Sequence, residues 1–441
     1  NYDNRYLATV NFRADGSSKF PENPWGYFPS FSLAWRLSSE SFMEDVTDVT
    51  DLKLRFGWGQ VGNDKIGDDA FVLNMFNTGP TFVDYVFGKD QQLANGATIL
   101  TWINQGGRWE TTEQLSLGID FGFWNNRLTG SIDGFIRNTS DMLMPVNAPA
   151  FVGNRYAGSA NVGDVRNRGI EISLEHRNTV NDFEYSIGGN ISFIDNKLTH
   201  LNGGSSIPVW ASNERMVQMV DEGHSLYYFT GYKNLGIFKT DEEALEYLDG
   251  YTALDIPYHA GDSKYFDRNN DGKITDEDRM DLGSSIPWLN YGLNFGAWWK
   301  GFDLQLFFQG VGGNKIYNMK RAFLESDGTS SVISPVMKDA WTKDNPNGTI
   351  ANPRNSINYE ISDRFLEDGS YFRLKNVQLG YSLPSKVLKP AGFQNCRFYV
   401  QASNLFTLTK YTGYDPEVSG GVDYGNYPQS RTFIFGVNIV F

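Results

Sequence analysis

Read for a period of two, the chain breaks into segments of about ten residues in which apolar and polar positions alternate, the length a tilted membrane strand requires. In the last segment Phe433, Phe435, Val437, Ile439 and Phe441 share one face, and Thr432, Ile434, Gly436, Asn438 and Val440 the other. Leu115, Leu117, Ile119, Phe121 and Phe123 likewise oppose Ser116, Gly118, Asp120 and Gly122. Ile170, Ile172 and Leu174 oppose Glu171, Ser173 and Glu175. After Gly301, Phe302, Leu304, Leu306 and Phe308 alternate with Asp303, Gln305, Phe307 and Gln309.

About twelve strands are expected on this pattern, near 4–13, 27–37, 52–60, 111–123, 127–138, 167–177, 182–194, 289–299, 301–312, 370–382, 395–405 and 431–441. Alternation alone does not separate a soluble sandwich, whose apolar face is its core, from a membrane barrel, whose apolar face meets lipid. Connection lengths do. Tight links at Trp124-Asn125-Asn126-Arg127, from Arg177 to Asp182, and at Lys300-Gly301 alternate with long ones at 61–110, 139–166, 195–288, 313–369 and 406–430. Short turns on one rim and long loops on the other are the habit of an outer-membrane barrel. Within the long loops, residues 240–248 read as a short helix with Thr240 as N-cap, and 334–345 is a second helical candidate.

Composition sharpens this picture. Hydrophobic residues make up 40% of the 441, yet no stretch approaches the roughly 18 apolar residues of a spanning helix. Aromatics reach 15%, with 46 glycines, as a barrel with aromatic girdles and a crowded wall would use. A net charge of −14 without a basic patch argues against a nucleic-acid partner. One cysteine, Cys396, and four scattered histidines leave metal-centred redox or hydrolytic chemistry little to stand on.

One local motif points to a ligand. Asp267 to Asp278 carries oxygen donors at the spacing of a calcium loop, with Asp267, Asn269 and Asp271 as side-chain ligands, Lys273 through its carbonyl, and Thr275 directly or through water. Asp278 closes the set where Glu is usual, and Gly272 occupies the sharp turn. The expected cofactor is a structural Ca²⁺; the plainer alternative is an acidic, solvated turn. Paired carboxylates such as Glu242/Glu243 do not establish a hydrolase, because sequence cannot place them across a cleft. No catalytic residues are assigned. Loop aromatics offer flat faces for sugar rings or peptide side chains, and Trp102, Trp109, Trp210, Tyr411 and Tyr414 are the substrate-binding candidates. For most loop aromatics, loop-to-loop packing is the plainer reading.

Several ordered blocks resemble one family. Tyr6 to Arg36, Leu54 to Asn63, Asn167 to Glu171, the calcium-like loop followed by Asp281 to Pro287, Tyr371 to Tyr381, and Ala402 to Phe406 are similar to SusC-type (SusC/RagA) TonB-dependent outer-membrane transporters. The resemblance implies an all-β, antiparallel transmembrane barrel of about 22 strands with long extracellular loops. Residues 1–441 would be its C-terminal part, with 195–288 as the long extracellular loop bearing the calcium motif. The plug domain, the TonB-contacting segment and the first strands have no counterpart here, so the remainder is expected as another chain or beyond this sequence. The terminal Phe441 is similar to the signal read by outer-membrane assembly machinery.

The resemblance further implies a Gram-negative, Bacteroidetes-like outer membrane and a SusD-type surface lipoprotein as lid. It implies TonB-dependent import of an oligosaccharide or peptide, and a dimer of the transporter–lid complex is compatible with it. Two alternatives remain at this stage: a passive porin or adhesion barrel, closed by twelve strands alone, and an extracellular calcium-stabilised carbohydrate-active protein.

Overall fold

The computed structural model describes all residues except 66–75, 78–83, 100–103, 105, 147–157, 204–205, 212–214, 249–256, 326–332 and 354–355. Twelve strands form one antiparallel sheet. They are β1 (Tyr6–Gly16), β2 (Trp25–Arg36), β3 (Val49–Asn63), β4 (Glu110–Phe123), β5 (Leu128–Val146) and β6 (Gly158–Val180). The sheet continues with β7 (Phe183–Leu201), β8 (Leu289–Trp299), β9 (Phe302–Gly312), β10 (Tyr371–Ser382), β11 (Asn395–Thr409) and β12 (Thr432–Val440). Spatial order equals chain order throughout.

The alternation sorts the two faces. Outward lie large apolar side chains left open, such as Val10 and Phe435 at 80% exposure, together with Leu117, Ile170, Ile187, Leu293 and Leu379. In water such a belt would be a severe aggregation liability; against hydrocarbon it is the contact surface. Paired rings edge it toward the short-turn rim, Tyr6 stacked on Trp35 at 6.3 Å and Phe302 tilted against Tyr381 at 4.5 Å. Toward the other rim Phe12 stacks on Tyr27 at 6.3 Å and Phe193 on Trp288 at 6.1 Å. These are the two girdles of a membrane belt.

The strands outrun their sequence pattern. β5, β6 and β7 reach well into the expected loops 139–166 and 195–288, leaving 147–157 and 202–288 as the links. Register shifts at Asn161/Gly163, Gly163/Val165 and Asp164/Val165 flip the inward and outward parity, so no single period of two runs through this stretch. Beyond the belt these strands bury Met142, Met144, Val162, Val165, Leu198 and Leu201 against Val220 of the following loop.

Among the described residues β1 pairs only with β2 and β12 only with β11, so the sheet ends in two open edges and does not close on itself. Bare edges cannot stand in hydrocarbon, since every unpaired amide and carbonyl there costs several kcal/mol. In a membrane both edges therefore need a pairing partner.

The tight rim depends on left-handed backbone. Trp124, Asn125 and Asn126 all have positive φ, and the β8–β9 turn places Lys300 at φ 47° and Gly301 at φ 89°, the primed geometry that follows the twist of a hairpin. At Gly301 a Cβ would also come within 2.7 Å of the Ser382 carbonyl, whose neighbouring amide donates to Gly301 O at 2.8 Å. Gly301→Ala is expected to cost about 1–2 kcal/mol. The check is the temperature at which the folded barrel loses its resistance to SDS, which should fall in the variant while the fold persists.

Candidate functional site

Two regions hold the polar chemistry: the inward face of the sheet and the folded loops on the long-loop rim. On the inward face Arg55 of β3 holds Asp120 of β4 through Nε at 2.9 Å and Nη2 at 2.7 Å, and reaches Asp133 of β5 at 2.8 Å. Lys53 adds a contact to Asp120 at 2.7 Å. The guanidinium spans two strand spacings because Gly118, between Arg55 and Asp133 in register, has no side chain to block it. The device recurs where Arg397 of β11 pairs with Asp303 of β9 at 2.9 Å across Gly380 of β10. Inward Asn294, Gln305, Asn376 and Gln378 continue this wall. A wall of fixed, alternating charge and amides beside an apolar outer belt suits an aqueous lumen.

The long loops fold into a cap with its own cores. Tyr232, Phe238, Ala244, Leu248, Tyr258, Tyr265 and Ile274 bury together with Ile357 of a different loop. Val217 and Phe229 pack with Tyr317, Met319, Ile361 and Phe365. Lys315–Asn318 pairs on one side with Leu366–Asp368 and on the other, in parallel, with Val422–Asp423, so two loops share a small sheet. The expected helix is present at Asp241–Tyr247, where the Thr240 hydroxyl accepts the Glu243 amide at 3.1 Å. The second helical candidate holds only a short 3-10 turn, Pro335–Asp339, opened by a proline.

Ion pairs lock the cap. Arg321 contacts Glu325 at 2.6 Å and Glu367 at 2.9 Å, and Arg364 contacts Glu325 at 3.2 Å. Burial pushes the Glu367 carboxyl up, but the Thr412 amide, Arg321, the Thr412 hydroxyl and Asn318 outweigh it and hold it below the usual range. Burial raises Tyr228 and Tyr232 each to about 12, so both phenols stay neutral.

The structure distributes the aromatic candidates. Trp109 donates its indole N–H to the Pro24 carbonyl at 3.3 Å and packs against Phe20 and Phe28, which makes it part of the wall. Tyr411 is buried, with its hydroxyl donating to Asp423 at 2.6 Å. Tyr414 is exposed, and the Lys320 ammonium lies 3.7 Å from its ring centre. Trp102 and the side chain of Trp210 lie outside the described residues. These five are not brought together. The inward charge pairs join residues on different strands, which no local pattern marks, although Asp120 on the polar face of β4 is a legible signal.

In the calcium-like loop Asp267 Oδ2 accepts the Gly272 amide at 2.9 Å, and Asn269 Oδ1 and Asp271 Oδ1 accept the amides two residues on at 3.1 and 2.9 Å. Thr275 Oγ1 accepts the Glu277 amide at 3.3 Å. Asp278 is fully buried and accepts the Arg268 and Thr275 amides at 2.8 and 2.7 Å, tying the two ends of the loop together. Gly272 has φ 78°, and Ile274, next to Lys273, drops into the cap core. Asp267 Oδ1 is buried without a hydrogen-bond partner. Among the described residues no three His, Cys, Asp or Glu side chains converge tightly enough to hold an ion by themselves. The motif's three carboxylates, Asp267, Asp271 and Asp278, are each turned to backbone amides rather than to a common point, although every committed oxygen keeps a second lone pair.

The family described as "TonB dependent receptor-like, beta-barrel" matches residues 1–405. The chain is 33% identical over 459 aligned positions to TonB-dependent receptor P3 of Formosa agariphila, covering 100% of this chain and 44% of that protein. It is 30% identical over 450 positions to TonB-dependent receptor SusC of Bacteroides thetaiotaomicron, covering 99% and 42%. A solved structure, that of the RagAB peptide transporter, superposes with TM-score 0.83 at 26% identity, covering 99% of this chain and 46% of that one. The chain thus spans less than half the length of the relatives it matches.

Proposed function

Because the chain belongs to the TonB-dependent receptor-like β-barrel family, we propose that it supplies the lumen wall and extracellular cap of an importer for a bulky nutrient. Its place is the outer membrane, and its relatives are receptors, not enzymes. The observation that carries the reading is the pairing of an exposed apolar belt with a charged, amide-rich inner wall on one sheet whose two edges are unpaired among the described residues. In this reading the further strands and a plug complete the barrel, TonB delivers energy through that portion, and a SusD-type lipoprotein closes over the cap. Substrate passes without covalent chemistry, held by lumen amides and charges and by cap residues such as Tyr414. Peptide is the first substrate class to try, since the superposing solved structure is a peptide transporter; oligosaccharide is the second.

The test is uptake of labelled peptide and oligosaccharide pools by cells with and without the gene, each with and without a protonophore. Energised import predicts uptake that needs both the gene and the proton gradient. Gene-dependent uptake indifferent to the protonophore would overturn it in favour of a passive pore.

We also propose that residues 267–278 hold a structural Ca²⁺, through Asp267, Asn269, Asp271 and the Lys273 carbonyl, with Thr275 direct or water-mediated and Asp278 closing the set. The unpartnered Asp267 Oδ1 supports this, because a buried carboxylate oxygen without a donor is costly unless a cation answers it.

A further inference from the structure

We propose that the outer face of β4–β7 carries a site for one phosphorylated lipid of the surrounding leaflet, its acyl chain lying over Gly134 and its phosphate beside Arg166, Arg168 and Lys197. This goes beyond import, because it needs neither substrate nor TonB.

The acyl part is a groove of about 710 Å³ walled by Leu117, Ile136, Ile170 and Phe193, with Arg168 and Trp288 at its long-loop end. Its floor is Gly134, on the outward face between Ile132 and Ile136. Gly130, two outward steps along the same strand, is hemmed in: a Cβ there would lie 2.5 Å from the Ser173 carbonyl. At Gly134 the nearest atom to an added Cβ is the Leu117 carbonyl oxygen at 4.0 Å, so a side chain would fit. Packing does not require glycine here. What its absent side chain leaves is a trough in the apolar belt, of the volume that ordinary ligand sites have.

The head part follows from register. Ile136, Arg168 and Asp195 lie side by side on β5, β6 and β7, and one outward step higher lie Asn138, Arg166 and Lys197. Arg168 and Lys197 are exposed, and Arg166 Nε is buried without a partner. Carboxylates at this level are Asp195, 2.9 Å from Arg168, and, on β4 beside Asn138, Glu113, which already accepts from Gln60 at 3.3 Å. Three cations against two carboxylates make a local positive excess in a chain of net charge −14. On β8–β10 the corresponding margin carries stacked rings instead, Tyr291, Phe308 and Phe372. Trp288, half exposed and stacked on Phe193, sets the level of the lipid headgroups beside the cations. A chain-length trough ending in guanidinium and ammonium groups at that depth is complementary to an acylated phosphate.

The experiment is native mass spectrometry of the assembly purified from outer membranes and exchanged into detergent with either dioleoylphosphatidylglycerol or dioleoylphosphatidylcholine. The wild type should retain the anionic lipid about tenfold more tightly. Replacing Arg166, Arg168 and Lys197 together by Gln should remove that preference, and Gly134→Leu should lower retention of both lipids. SDS-resistant mobility confirms that each variant is folded; if the triple variant does not assemble, Gly134→Leu carries the test. Equal retention of the two lipids by the wild type, or retention unchanged in Gly134→Leu, would overturn the site. So would a disulfide between two copies through Gly134→Cys, which would make this face an interface between barrels.

Discussion

Arg373→Leu is expected to free residues 410–431 from the top of β10, with their amide exchange accelerating by about two to three orders of magnitude. Arg373 is 2% exposed, the largest fully buried side chain among the described residues. Its Nε donates to Thr407 at 2.8 Å, Nη2 to Asp415 at 2.7 Å and Nη1 to Glu417 at 2.5 Å. Glu417 also accepts from the Tyr371 hydroxyl at 2.9 Å and contacts Lys375 at 3.3 Å, while Asp415 Oδ2 accepts the Gln429 amide at 3.0 Å. One guanidinium thus fastens a membrane strand to a loop that also lends Val422 and Asp423 to the cap sheet.

Removing it strands two partly buried carboxylates with Lys375 as their remaining cation, and breaking a buried pair this way costs about 3–5 kcal/mol. Arg373→Lys keeps the charge but loses the fork, so it should fall between wild type and Leu. Hydrogen exchange by mass spectrometry reads the outcome directly. Unchanged protection of 410–431 in the Leu variant would mean that the cap sheet alone holds the loop.

The same clamp has a pH signature. Burial pushes Asp415 up, but the amides of Glu417 and Gln429 and the Arg373 guanidinium outweigh it and hold the carboxyl below its ordinary value. A depressed carboxylate contributes stability that is present above its unfolded pKa, near 3.9, and is lost as pH falls through the lower folded value. The loop should therefore stay fastened through mildly acid pH and loosen only below about 4.

How much of this could be read beforehand varies with what each segment faces. Where lipid lies on one side and water on the other, the solvent itself imposes a period of two. Phe433 to Phe441 and Leu115 to Phe123 accordingly announce their strands almost to the residue. Above the belt neither face meets hydrocarbon, bulges at Gly163 and Asp164 reset the parity, and β5–β7 overrun their expected ends. The expected alternation of link lengths holds from β3 to β10, whereas the β10–β11 link on the short-turn rim, 383–394, is longer than the β5–β6 link 147–157 on the other, and the β1–β2 link on the long-loop rim, 17–24, is short.

The cap was the least legible part, because its cores join Tyr265 to Ile357 and Phe229 to Phe365 across loops separated by whole hairpins, and no local pattern encodes such pairs. Thr240 and the 267–278 turn were legible because their hydrogen bonds close within a few residues. Aromatic type alone said little about role: Trp109 and Tyr411 are spent on packing and buried hydrogen bonds, while Tyr414 stands open.

The calcium loop offers a prediction in which charge and shape come apart. Asp267 uses one oxygen for the Gly272 amide and leaves the other buried and unpartnered. Asp267→Asn keeps an acceptor for that amide but removes the negative charge, so the turn should survive while the ion is lost. Asp278→Ala differs: it removes both acceptors that tie the Arg268 and Thr275 amides together, and leaves those donors unsatisfied beside a core that holds Ile274. That variant should loosen the turn with or without Ca²⁺, by about 2–3 kcal/mol. In wild type, Ca²⁺ at a hundredfold excess over its dissociation constant should stabilise the loop by about 2.7 kcal/mol, seen as slower amide exchange over 267–278 that chelation reverses. Asp267→Asn should show the chelated wild-type rate at every Ca²⁺ concentration. If chelator leaves the wild-type rates untouched, the turn is held by its own hydrogen bonds alone. Asp267 Oδ1 would then be a lone buried oxygen tolerated at a cost to stability.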